Sequence, residues 1–405
     1  MKKVKPTKQQ LEFLDWEYGM FFHFGIRTFY EEHRDWDMKP MDIKEFNPKE
    51  LDCGQWIRTV ATAGAKYAIL VTKHHDGFAN WPSKYTEYSV TNTPWKDGKG
   101  DVVKEFTDAC RTYGIKVGLY YSPADFTLRE ETRAAKEYDD YFINQVSELL
   151  INYGKIDYLW FDACGSHGVE YDKERIIKTI RSLQPEILIF NLWDPDTRWV
   201  LNEDGIAPEE CFNTTNVAEH QVFDKERFMP AECDTTIRDR WFYSEKNEDT
   251  LKSVPYLMKL YYESIGHGAN LLLGLSPDRR GLIEDSDAER TIEFKNEVLR
   301  RFEHPLYQLQ DIAPDNLYTL SFDQEICINH AILEEDLTEG DGIMKYRLSA
   351  VRSSDLEKVV LYEGTSLGHK RIYEFSEIST NKVILEILGS NETHRMNRIS
   401  LYHVK

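Results

Sequence analysis

Lys155–Gly168, KIDYLWFDACGSHG, places one carboxylate where it can do chemistry. Ile156–Phe161 reads as a buried apolar strand that delivers Asp162 to its C-terminal end, and Cys164, Gly165 and Gly168 provide a turn beyond it. In a barrel of parallel strands, that end is the active-site face. The plainer alternative is an Asp that caps the following helix. Other reactive side chains end apolar runs in the same way. Gly19–Phe24 carries His23, Lys66–Thr72 delivers His74 and His75, and Ile115–Tyr121 ends on Tyr121. Trp36, flanked by Asp35 and Asp37, falls in a polar loop. Together these form a pocket of imidazoles, aromatic platforms and one carboxylate.

Two chemistries suit such a set. One is a metal held by His23, His74, His75 and Asp162. Against it, adjacent strand residues point to opposite faces, and the spacing is neither H-x-H nor H-E-x-x-H. Each histidine taken alone also suits an ordinary structural role. The other chemistry is glycoside cleavage, which needs a second carboxyl to work with Asp162. Glu203 in RWVLNEDG and Glu232 in MPAECD are the candidates, because each follows an apolar-aromatic stretch.

The elements that must position these groups alternate. Helical patterns at Gln9–Tyr18, Leu51–Ala63, Val102–Tyr113, Arg129–Asn152, Lys173–Leu183 and Leu251–Ile265 separate near-continuous apolar strands. Strands of that kind belong to a parallel sheet covered on both faces. The expectation is an α/β fold, a (β/α)8-like TIM-type barrel over residues 1–305. A doubly wound open sheet is the runner-up, weakened by the lack of G-x-G-x-x-G after the first strand. From about residue 306 the period becomes two. Seven short strands between Leu317 and Val404 predict an antiparallel β-sandwich over 306–405.

Composition narrows the function classes. The chain of 405 residues is 41% hydrophobic and carries a net charge of −20. That balance disfavours nucleic acid and anionic membranes as partners. Its 13% aromatic share suits stacking on sugar faces as well as core packing. MKKVKPTKQQ lacks the apolar run of a secretory signal. Six scattered cysteines without C-x-x-C spacing fit reduced thiols, so a cytoplasmic protein is expected, although a trimmed secreted form would read the same.

Four segments then carry a resemblance: GMFFHFG (Gly19–Gly25), KYAILVTKHHDGFANW (Lys66–Trp81), LWFD (Leu159–Asp162) and NLLLGLSP (Asn270–Pro277). The chain resembles the α-L-fucosidases of glycoside hydrolase family 29, in order, over essentially the first 300 residues. PAECDTTIRDRWFY with RWVLNEDG is similar to the subgroup that prefers α-1,3/α-1,4-linked fucose on branched Lewis-type glycans. The tail VVLYEGTSLGHKRIYEF resembles the β-sandwich that ends those enzymes. The resemblance implies a retaining exo-α-L-fucosidase with no metal or organic cofactor. It makes Asp162 the nucleophile and Glu203 the acid/base, with Glu232 the alternative. It assigns fucose binding to His23, His74, His75, Asp35-Trp36, Arg238 and Trp241, and to Tyr120 or Tyr121, of which Tyr121 is favoured. Several positions depart from the family pattern. Leu201 stands for Gly before Asn-Glu, Asp35 for Glu before Trp36, Asp239-Arg240 for Pro-Gly, and Ala163 for the Gly after W-F-D. A catalytically silent glycan-binding protein on the same fold, a fucosidase of broader linkage range, and a transfucosylating enzyme are the competing expectations.

Overall fold

The computed structural model describes residues 4–31, 41–128, 136–166, 169–219, 221–310, 312–391 and 394–405. Asp35, Trp36, Gly168 and the first seven positions of the helix expected over 129–152 lie outside them. Among the described residues, eight parallel strands curl into a barrel. The first six are β1 (Tyr18–Phe22), β2 (Tyr67–Lys73), β3 (Lys116–Tyr121), β4 (Tyr158–Phe161), β5 (Leu188–Phe190) and β6 (Arg198–Trp199). An antiparallel hairpin, β7 (Thr214–Ala218) and β8 (Gln221–Phe228), precedes β9 (Ala231–Thr236) and β10 (Asn270–Leu275), which complete the eight. The order is β5-β4-β3-β2-β1-β10-β9-β6, and a bridge between Phe190 and Thr197 all but closes the ring.

Local chemistry sets the outer helices. Asp52, Asp101, Asp172 and Ser253 each accept the backbone N–H three residues on, satisfying a donor the first helical turn leaves free. Gly114, at φ +68°, ends the helix Val102–Tyr113 and turns the chain into β3. Side chains on alternate strand positions face either these helices or the barrel interior. The interior is largely aromatic: Phe21, Tyr67, Tyr120, Tyr158, Trp160 and Phe190. The first helix, Lys8–Trp16, closes the end where the strands begin. Its Phe13 and Trp16 are buried against Tyr67 and Tyr158.

The last barrel helix, Asp285–Phe302, leads into six antiparallel strands: β11 (Tyr307–Gln310), β12 (Leu317–Glu335), β13 (Ile343–Arg352), β14 (Lys358–Thr365), β15 (Arg371–Ser390) and β16 (Met396–Tyr402). They hydrogen-bond as one sheet in the order β11-β16-β12-β15-β13-β14. Two pairs of short strands expected from the sequence are fused. β12 spans 19 residues and β15 spans 20, and register shifts at Ser321/Ile326 and Ile328/His330 interrupt their pairing. Both ends of β12 contribute to one buried core: Tyr318 and Leu320 from one half, Ala331 and Leu333 from the other.

Polar groups tie this sheet to the barrel. Lys370 bonds the Glu17 carboxylate, and its Nζ lies 3.7 Å from Glu334. Burial would push Glu17 up, but Lys370 and His369 hold it down at about 2. Asp341 accepts from Asn213 Nδ2 at 2.8 Å and from the Thr214 N–H at 2.6 Å.

Candidate active site

The C-terminal ends of the barrel strands surround a cavity of about 260 Å³. β1 carries Phe21 and leads to His23. β2 leads to His74 and His75, β3 ends with Tyr120 inward, and β4 leads to Asp162. Asn191 follows β5, Trp199 lies on β6 with Glu203 just beyond it, and Asp234 lies on β9 with Trp241 following.

Asp162 is a partly open carboxylate held from two sides. Its Oδ2 accepts from the Tyr120 hydroxyl at 2.8 Å, and its Oδ1 accepts from the Cys164 N–H at 2.8 Å. His75 Nε2 lies 3.6 Å from Oδ2, and His75 Nδ1 is 2.6 Å from the Ser122 hydroxyl. His23 and His74 are buried, and burial comes first in pushing both below the ordinary histidine value, with the neighbouring His75 adding to it. His23 falls to about 3. These two rings are therefore neutral near pH 7. A neutral imidazole offers one donor and one acceptor, which is what a sugar hydroxyl requires.

The loop bearing the two histidines is itself braced. Buried Lys73 pairs with buried Asp125 at 3.2 Å, and Asp76 accepts from Arg27 at 3.1 Å and from the Phe78 N–H at 2.8 Å. Gly77 turns the chain at φ +82°, its N–H bonded to the His74 carbonyl, and a Cβ there would run into the Asp125 carboxylate.

Glu203 stands at the cavity mouth, where its Oε2 accepts from Trp241 Nε1 at 3.2 Å. Partial burial pushes its carboxyl above the ordinary value. The Trp241 bond opposes this, while the charges of Asp162 and Asp204 add to it. Trp241 also packs on His23, with ring centroids 4.8 Å apart.

Three of the expected positions need correction. Tyr121 points away from the cavity, its hydroxyl donating to Gln145 at 2.7 Å and its ring packed on Phe142. Strand alternation gives the inward face to Tyr120 instead. Arg238 lies outside the cavity and is fully engaged. Its guanidinium donates to Asp287 at 2.9 Å, to Glu284 at 3.1 Å and to the Asn247 carbonyl at 3.1 Å. It anchors the segment that brings Trp241 back over the cavity. Glu232 lies deeper in the barrel and does not line the cavity. It accepts from Tyr67 at 2.6 Å, Trp160 at 2.9 Å and Tyr158 at 3.2 Å. Burial pushes it up to about 7 despite these donors.

Asp234 is a cavity residue that sequence reasoning missed. It accepts from Trp199 Nε1 at 2.6 Å, and burial, with Glu203, Glu232 and Asp162 adding, raises its carboxyl well above the ordinary value. The signal was present in PAECDTT: on a strand, Glu232 and Asp234 share one face.

Residues 1–294 match the α-L-fucosidase family. The chain belongs to that family. It is 30% identical to Alpha-L-fucosidase 1 of Arabidopsis thaliana over 437 aligned positions, which cover 96% of this chain and 85% of the plant protein. A glycoside hydrolase 29 family member from an unknown rumen bacterium superimposes with a TM-score of 0.90 at 32% identity, covering 100% of this chain and 78% of that one. A Ruminococcus gnavus GH29 fucosidase, solved in complex with fucose, shares the fold at 24% identity and a TM-score of 0.87, covering 99% and 95% of the two chains. The barrel with its antiparallel C-terminal domain is thus the architecture of GH29 fucosidases, and the chain is a glycoside hydrolase of the α-L-fucosidase type.

Proposed function

We propose that this fucosidase releases terminal α-1,3/α-1,4-linked L-fucose from branched Lewis-type oligosaccharides with retention of configuration. Asp162 attacks the anomeric carbon, and the bond to the aglycone oxygen breaks as Glu203 protonates that oxygen. Glu203 then takes a proton from water, whose oxygen displaces Asp162 from the fucosyl carbon. Such double displacement requires carboxyl groups roughly 5–5.5 Å apart when substrate is bound. The observation that carries the reading is the contrast between two of the carboxyls lining the cavity, Asp162 and Glu203. Asp162 is held by two donors, whereas Glu203 is pushed up in part by the Asp162 charge, as an acid partner needs. His23, His74 and His75 bind fucose hydroxyls, and Trp241 takes an apolar sugar face. Asp35 and Trp36 keep the binding role the resemblance gives them. The six scattered cysteines suit a reducing, cytoplasmic setting.

The linkage is tested by measuring fucose release from a Lewis-type trisaccharide and from 2′-fucosyllactose side by side. Release mainly from the second would sink the α-1,3/α-1,4 assignment. Binding without release from either, or from an aryl fucoside, would favour a silent lectin. Fucose transferred to added acceptor sugars would show that the intermediate is captured by hydroxyls other than water. Glu203→Ala is expected to lose turnover of natural glycans and recover part of it with azide.

A further inference from the structure

Among the described residues, two groups of side chains offer three closely spaced metal-ligating atoms. One is His74, His75 and Asp162 in the sugar cavity. The other is Cys327, Glu377 and His403, in the C-terminal sheet and apart from the cavity. Strand geometry brings the second group together. β16, β12 and β15 are adjacent. Cys327 on β12 stands opposite Ser379 on β15, and Glu377 lies two residues from that partner, hence on the same face. On the other side, His330 pairs with Tyr402, which sets His403 opposite Asn329, two residues from Cys327 and again on its face. Asn329 clasps the chain just beyond, accepting from the Val404 N–H and donating to the Val404 carbonyl at 2.8 and 2.7 Å.

The ligand atoms lie within 4.8 Å of one another, and His403 Nε2 is 2.8 Å from Glu377 Oε2. Tetrahedral zinc, with bonds of about 2.0 Å to nitrogen and oxygen and about 2.3 Å to sulfur, requires ligand atoms roughly 3.3–3.6 Å apart. Side-chain rotations of about an ångström would therefore centre an ion. The donor set of one thiolate, one imidazole and one carboxylate suits zinc and its neighbours rather than magnesium or calcium.

We propose that Cys327, Glu377 and His403 form a binding site for a divalent zinc-class metal ion, with water in the fourth position. On binding, the Cys327 S–H bond breaks, its proton goes to solvent and the thiolate sulfur bonds the metal. The His403–Glu377 hydrogen bond gives way to two metal bonds: the Nε2 proton leaves to solvent, a neutral ring taking one back on Nδ1, and the freed Nε2 lone pair and the Glu377 carboxylate both bond the ion. The ion would clip the C-terminal strand β16 to β12 and β15, serving as a brace of the sheet with no part in sugar chemistry.

The test titrates the chelator-treated full-length protein with cobalt(II), a coloured stand-in for zinc. The expected result is a near-ultraviolet thiolate-to-cobalt charge-transfer band saturating at one equivalent and bleached by zinc. The band should be lost in Cys327→Ser and weakened in His403→Ala, with fucose release unchanged in both. Zinc should raise the melting temperature of the wild-type protein and leave that of Cys327→Ser unmoved. Absence of the band in the wild-type protein would overturn the proposal. So would a band that survives in Cys327→Ser, which would put the metal on another cysteine.

Discussion

Replacing Glu232 by Gln should stabilise the barrel at neutral and alkaline pH without stopping catalysis. Glu232 is fully buried and satisfied by three hydroxyl and indole donors, yet burial still lifts it from 4.5 to about 7. A raised carboxyl gives stability that is complete below the unfolded value and drains away as pH rises through the folded one. Here the window runs from about 4.5 to about 7, and the loss across it is about 3 kcal/mol. Glutamine keeps an acceptor for Tyr67 or Trp160 and cannot ionise, so its stability curve lacks this fall. Urea unfolding followed by tryptophan fluorescence at several pH values reads the difference between the two proteins, in which other titrating groups cancel. Curves that run parallel through that window would refute the reasoning. The same variant should turn over natural glycans without azide. Loss of activity rescued by azide would move the acid/base role to Glu232.

Three further outcomes are expected. Tyr120→Phe should lower kcat/KM by removing a donor to Asp162, whereas Tyr121→Phe should leave it unchanged and cost about 1–3 kcal/mol of stability through the stranded Gln145 acceptor. Steady-state kinetics and denaturation separate the two. Gly77→Ala should strain the histidine loop by about 1–3 kcal/mol and lower both the melting temperature and fucose release, since only a residue without Cβ fits beside Asp125 at positive φ. Lys370→Met should destabilise the domain junction by about 3 kcal/mol at pH 7. Because Glu17 is held down at about 2, that cost should fade as pH falls below about 4.5, as urea midpoints at pH 7 and in acid would show.

The first half of the barrel was legible because β1 to β4 are apolar runs that lead to or end on reactive residues. Asp162, His23, His74 and His75 could be placed from that pattern alone. Tyr120 and Tyr121 could not be separated, because a run buried on both faces carries no polar alternation to show which side is inward. Arg238 misled for a related reason. It sits just past the end of β9, where the chain leaves the strand, and its partners Glu284 and Asp287 lie about fifty residues away at the start of a helix whose approach no local pattern announces. Glu232 and Asp234 differ only in depth along one strand, and depth depends on register with β10, which the sequence does not display. In the C-terminal domain the alternation was visible, but polar residues at the bends of β12 and β15 read as turns between separate strands.

The helix that seals the barrel floor with Phe13 and Trp16 makes the cavity a cul-de-sac. A glycan cannot thread through it, so only a chain end can present its sugar to Asp162. Under the proposed double displacement, traffic at the mouth beside Glu203 follows a sequence. The severed aglycone departs first, water follows it in past Glu203, and fucose leaves last by the way it came.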